Sequence, residues 1–302
     1  MTDGTTPLSA QPPQGLALWL AGARPRTLPA AVAPVAAGTG AAVLADGFVW
    51  WKALLALGVS LALQVGVNYA NDYSDGVRGT DDDRVGPLRL VGSGLVPAGR
   101  VKAAAIGFLA LGGLLGLVLA ATTSWWLLLV GVAALGAAWT YTGGPSPYGY
   151  RALGEVSVFL FFGLVAVVGT TFVQVEDITR ASVLAGVGVG ALACAILVAN
   201  NLRDIATDVV AGKRTLAVLL GDGRTRGFYV LLVLVAVATA VALAVTETPW
   251  ALLALLFTPL AVRGVRVVTS GATGPALIPV LQSTGVAELV FALGLTLGLC
   301  LA

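Results

Sequence analysis

The chain has 302 residues, 58% of them hydrophobic and only 11% charged, with a formal net charge of +2. That balance excludes an ordinary water-soluble domain, and it leaves no basic surface for a nucleic-acid partner. Histidine is absent altogether, which excludes His-based triads, haem–His ligation and His–zinc sites, so any proton transfer falls to carboxylate, tyrosine, lysine or water.

Residues 1–15, rich in Pro, Gln, Thr and Ser, read as a disordered tail ahead of a single transmembrane domain over 16–302. "GLALWLAGARPR" then reads as a short interfacial helix, with Trp19 at headgroup depth and Arg24 and Arg26 in the anionic surface layer. The first long apolar run starts only after "ARPR" and outlasts a signal-peptide core, so no cleavable signal is expected. Apolar runs of spanning length follow near Leu28–Leu44, Trp51–Asn71, Ala103–Thr122, Trp125–Tyr141, Val156–Val173, Ser182–Asn201, Gly227–Val245, Trp250–Val268 and Ala276–Leu299. The expected fold is therefore an all-α polytopic membrane bundle of about nine helices, with Pro259, Pro275 and Pro279 interrupting the last two. With the N-terminus in the cytoplasm, all but Lys52 and Arg180 of the 17 cations fall on the inner side, as the positive-inside rule requires.

Cys194 and Cys300 both sit in apolar spans and read as small hydrophobes rather than a disulfide or a metal site. Gly112-x3-Gly116 and Gly294-x3-Gly298 read as close-packing sites between helices.

Polar residues collect in two places. "NYANDYSDGVRGTDDDR" closes the second span and puts Asn68, Asp72 and Asp75 at i, i+4, i+7. "NNLRDIATDVVAGKRT" closes the sixth and puts Asn201, Asp204 and Asp208 at i, i+3, i+7, with Asn200 one turn before Asp204. Each cluster precedes a basic loop, a weak internal duplication of the kind that sets two half-sites across a bundle. Carboxylates crowded on one helix face repel unless a cation sits between them. Magnesium fits, because it takes hard oxygen ligands and completes its shell with water and substrate phosphate. The two clusters thus read as a cradle for a magnesium-bridged diphosphate, with Arg78, Arg84, Lys213 and Arg214 against its free oxygens and Asn68 or Asn201 donating hydrogen bonds. Asp81, Asp82 and Asp83 read equally as a solvated loop, with Asp81 the best ligand among them.

These segments, together with "ARPRTLPAAVAPV", "GPLRLVGSG" and "YTGGPSPYGYRALGEVSVFLFFG", resemble the UbiA superfamily of intramembrane aromatic prenyltransferases from Ala23 onward. Within it the resemblance runs to the branch that prenylates 1,4-dihydroxy-2-naphthoate in menaquinone biosynthesis. The resemblance implies a helix bundle around a cavity open to membrane lipid, housing a polyprenyl diphosphate and the dihydroxynaphthoate. It implies metal binding by Asp72, Asp75, Asp204 and Asp208, with Asn68 beside the diphosphate and Asn200, Asn201 and Tyr141 toward the acceptor. Two departures stand out. Gly79 occupies the place of the usual last aspartate, leaving Asp75 or Asp81 to complete the first metal site, and Pro145 stands where relatives carry a lysine, making Arg151 the nearest cation. Tyr141 reads as a catalytic aromatic or as a membrane anchor. The rival expectations are a related enzyme with another acceptor such as 4-hydroxybenzoate, and an ion-coupled transporter, for which Glu288 is the nearest approach to an intramembrane carboxylate.

Overall fold

The computed structural model describes residues 13–79 and 88–302. Its helices are α1 (Gly15–Ala23), α2 (Pro29–Leu44), α3 (Trp50–Arg78), α4 (Ala98–Thr122), α5 (Leu127–Thr140), α6 (Gly154–Val175), α7 (Arg180–Val210), α8 (Asp222–Thr246), α9 (Pro249–Thr269) and α10 (Gly274–Cys300). Every expected apolar run carries a helix, but the count by length differs from nine. Among the described residues seven helices are long and apolar enough to cross a membrane, and α1 with α2, bent by 50°, makes an eighth. The remaining one, α5, has 14 residues and rises about 21 Å, short of the roughly 30 Å of a hydrocarbon core. The chain is a polytopic membrane protein.

The bend between α1 and α2 follows from local chemistry. Arg24 adopts a left-handed conformation (φ 54°), and Pro25 and Pro29 open the next two helical segments, where their missing N–H groups cost nothing. The interfacial helix is present as α1, and Trp19 meets the ring of Tyr69 edge-on at 5.8 Å while its carbonyl accepts from the Tyr69 hydroxyl at 2.7 Å.

Helices α3 and α7 are the longest, with 29 and 31 residues. At 1.5 Å per residue each exceeds the hydrocarbon thickness by about 13–16 Å, so their last turns emerge from the apolar layer. Those turns carry the two aspartate clusters. Helix α7 runs through the middle of the bundle, its small residues Ala185, Val189, Ala195 and Ala199 forming the core with Phe257, Phe291 and Leu295. Its glycines admit α6 at backbone contact: a Cβ on Gly163 would lie 2.6 Å from Gly190 Cα. Gly163 belongs to a π-helical stretch, Phe159–Val165, inside α6, a local widening common beside functional sites.

The Gly294–Gly298 pair packs as expected, since a Cβ on either would fall 2.4 Å from Leu253 O or 2.2 Å from Trp250 O. The Gly112–Gly116 pair divides. A Cβ on Gly112 would fall 2.9 Å from Leu63, whereas one on Gly116 would meet nothing within 4 Å, and both glycines line a cavity. Cys194 is buried and Cys300 exposed, both free. Glu288 is wholly buried in α10, with no hydrogen-bond partner on either carboxylate oxygen.

Candidate active site

The first cluster divides between two flanks of α3. Asp72 is fully buried and accepts two successive backbone N–H groups, from Leu90 at 2.8 Å and Val91 at 3.0 Å. It thereby fixes the loop from Leu88 onward against the helix. Asn68, one turn earlier, gives its amide hydrogens to Ala23 O and Thr27 Oγ1, both at 2.9 Å, so its donors hold the α1–α2 corner. On the other flank Asn71, Asp75 and Arg78 follow at i, i+4, i+7. Asn71 accepts from Thr142 Oγ1 at 2.7 Å, Asp75 accepts from the Tyr150 hydroxyl and pairs with Arg89 at 3.5 Å, and Arg78 donates to the carbonyls of Thr142 and Gly144.

The second cluster is held mostly by its own neighbours. Asp204 is gripped on both oxygens by Arg203 at 2.6 Å, and Arg203 also reaches Asn200 Oδ1 at 2.9 Å. Asn201 donates at 2.9 Å to Glu155, a buried carboxylate at the start of α6 whose second oxygen has no hydrogen-bond partner. Asp208 faces Lys213 at 3.9 Å, and the turn between them closes through Lys213 N–H to Asp208 O at 2.8 Å, with Gly212 at φ 70°. Arg214 is exposed and joins the site through its backbone N–H, which donates to Tyr150 O at 3.0 Å. Arg151 is exposed at the end of the same loop. Asp81 and Arg84 lie outside the described residues.

Asn68 and Asn71 of the first cluster border a cavity of about 780 Å³ between α3, α4, α5 and α6. Leu114, Leu117, Leu135, Phe161 and Phe162 make its walls apolar, and Asn68, Asn71, Tyr141, Tyr148 and Ser157 give one end a polar rim. Tyr141 and Tyr148 meet edge to face at 5.5 Å, and Tyr148 OH lies 2.7 Å from Ser157 Oγ. Burial pushes the Tyr148 phenol above the usual tyrosine range, the Ser157 hydrogen bond opposing this.

A divalent cation can be tested against these donors. Among the described residues no three carboxylates or thiols converge on one point, but magnesium needs only one or two carboxylates alongside phosphate and water. Asp75 and Asp208 supply buried carboxylates for it, Asp75 oriented by the Tyr150 hydroxyl and Asp208 facing Lys213 at 3.9 Å. Asp72 suits it less well, with an N–H already on each oxygen. Asp204 joins only by loosening Arg203.

Four contributors escape a sequence-only reading. Asn71 sits in the quoted motif but off the i, i+4, i+7 row counted from Asn68. Arg89, Tyr150 and Glu155 act across separations of 14, 75 and 46 residues, where no local pattern points to them.

A model of the UbiA prenyltransferase family matches residues 31–276. The chain is 56% identical to the 1,4-dihydroxy-2-naphthoate octaprenyltransferase of Mycobacterium tuberculosis, over 92% of this chain and 94% of that one. Among solved structures, a UbiA homologue from Aeropyrum pernix superposes with a TM-score of 0.71 at 17% identity, covering 89% of this chain and 97% of that one. A homologue from Archaeoglobus fulgidus bound to DMAPP and Mg2+ gives 0.65 at 18%, covering 94% and 99%.

Proposed function

The chain belongs to the UbiA prenyltransferase family, and we propose that it transfers a polyprenyl group from polyprenyl diphosphate to 1,4-dihydroxy-2-naphthoate. Carbon dioxide and diphosphate leave, and the product is the demethylmenaquinol of menaquinone biosynthesis. The observation that carries this reading is a pair of carboxylate clusters bridged by Tyr150, the first of which sends Asn68 and Asn71 to the rim of an apolar cavity, in a chain 56% identical to an enzyme of that name.

Asp75, Asp204 and Asp208 would hold magnesium, with Asp72 behind them fixing the loop. When bound, the ion neutralises charge growing on the departing diphosphate. Arg78, Arg89 and Lys213 supply further positive charge at the same end of the cavity. The allylic C–O bond breaks and its electron pair leaves with the diphosphate. The electron-rich ring attacks the allylic cation through the carbon bearing the carboxylate, and loss of carbon dioxide restores aromaticity. Leu114, Leu117, Phe161 and Phe162 exclude water that would trap the cation as an alcohol, and Tyr141 presents its ring at the rim. Asn200 and Asn201 would serve the acceptor. We assign the N-terminus and the site to the cytoplasmic face of a bacterial membrane, a reading supported by the distribution of cations in the sequence.

Purified protein given magnesium, a polyprenyl diphosphate and carboxyl-labelled dihydroxynaphthoate should release labelled carbon dioxide, and a chelator should stop it. No release from folded protein, with transfer to 4-hydroxybenzoate instead, would replace the acceptor and keep the scaffold.

A further inference from the structure

Among the described residues α3 and α7, which carry the two clusters, make little direct contact. Their spacing must be set by something between them. The loop from Thr142 to Arg151 fills that gap, and one residue in it touches both sides. The Tyr150 hydroxyl donates to Asp75 of α3. Lys213, just beyond α7, places Nζ 4.7 Å from the centre of the Tyr150 ring, and the guanidinium of Arg78 lies 5.8 Å from the same centre. The Tyr150 carbonyl accepts the Arg214 N–H at 3.0 Å.

From these contacts we infer that Tyr150 is a positioning residue that sets the distance between the two half-sites and holds one cation from each on a single aromatic ring. The inference rests on the prenyltransferase reading of the same site. Lys213 and Arg78 carry like charges and would repel if brought together on bare backbone. The negative face of an aromatic ring tolerates both without neutralising either. A carboxylate in that place would pair with the cations and compete with the diphosphate, whereas a ring gives them up to it. The phenol O–H meanwhile orients Asp75 without carrying charge. Tyr150 therefore presents cations and carboxylate in register before the substrate arrives, the condition under which electrostatic stabilisation costs no reorganisation.

Two substitutions separate the ring from the hydroxyl. Tyr150→Phe keeps the ring and loses the bond to Asp75; it should raise half-saturating magnesium severalfold while leaving KM for the prenyl diphosphate within about twofold. Tyr150→Leu loses both and should raise that KM about tenfold, with KM for dihydroxynaphthoate unchanged. A merely structural lesion would lower the amount of active enzyme and leave every half-saturation constant in place. A second readout needs no turnover: magnesium with inorganic pyrophosphate should raise the unfolding temperature of the unsubstituted protein, less so for Tyr150→Phe and least for Tyr150→Leu. Should Tyr150→Leu fail to fold, Tyr150→Phe decides alone. Wild-type half-saturation and wild-type thermal protection in the folded variants would overturn the inference. An unsubstituted protein that is protected by magnesium and pyrophosphate yet inactive on dihydroxynaphthoate would overturn the acceptor instead.

Discussion

The two aspartate clusters look alike in sequence and are held in opposite ways. In the first, each carboxylate depends on a distant part of the chain: Asp72 on the N–H groups of Leu90 and Val91, Asp75 on Arg89 and Tyr150. In the second, Asp204 is held by its neighbour Arg203 and Asp208 faces Lys213 one turn beyond the helix end. One half-site is assembled only when the bundle closes. The other includes, among the contacts of the described residues, two ion pairs made within a single helix and the turn that follows it. A local ion pair forms without tertiary structure, but once buried it leaves an uncompensated charge when one partner is removed, so the cost of substitution should differ between the halves even where the loss of activity does not.

The largest expected effect is common to both. Asp75→Asn and Asp208→Asn should each lower turnover by about 10²–10³-fold with little change in unfolding temperature, read by labelled carbon dioxide release and a thermal melt of the detergent-solubilised protein. Near-parental turnover in either variant would remove that residue from the site.

Stability separates the halves next. Asp204→Ala leaves the buried Arg203 guanidinium short of its main partner, a loss of about 3–5 kcal/mol, and Arg203→Met in the same chain should recover much of the stability but none of the activity. Asp72→Ala strips the acceptor from two loop N–H groups, a loss of about 1–3 kcal/mol, and no second change within α3 can restore it. If Arg203→Met rescued nothing, the idea of a locally wired half-site would be wrong.

Asn68→Ala and Asn71→Ala sharpen the comparison within α3. Asn68 secures the α1–α2 corner, so its loss should cost about 1 kcal/mol of stability and little in kcat; Asn71 borders the cavity, so the balance should reverse. The smallest effect belongs to Arg151→Ala, an exposed position, where stability should stay within about 0.5 kcal/mol and any change should appear only as a modest rise in KM for the prenyl diphosphate.

What the sequence made legible follows the same division. Each apolar run located a helix, because an uninterrupted hydrocarbon-length segment has one stable solution in a bilayer. It could not show that α5 falls short of spanning length, since Trp125, Trp126 and Tyr141, which read as part of the run, lie outside the helix. The second cluster was readable as a row of donors, its spacing being that of one helix, but not in its pairing, since Arg203 and Glu155 take partners there that periodicity does not assign. The first was readable as a set of donors but not as an arrangement. Asp72 and Asp75 lie only about 60° apart around the helix, and periodicity places them on one face; the Leu90–Val91 loop captures one and Tyr150 the other, contacts formed only in the folded bundle. Asn71 was hidden for a related reason, as counting from Asn68 selects the flank that faces the α1–α2 corner.

Helix α5 forms one wall of the cavity, and none of its residues is buried. Leu128, Val130 and Val132 are exposed while also lining the cavity, as are Leu114 and Leu117 on α4. To an isoprenoid chain such a wall is solvent of the same kind as the surrounding acyl tails, so moving from bilayer to groove changes its hydrophobic free energy very little. Each added isoprene unit then contributes almost nothing to affinity. Donors of different length should compete on nearly equal terms, and the molecule that binds is in effect a diphosphate with an allylic carbon attached. The length of the side chain on the product is accordingly written by whatever enzyme polymerises the donor, and this protein copies it.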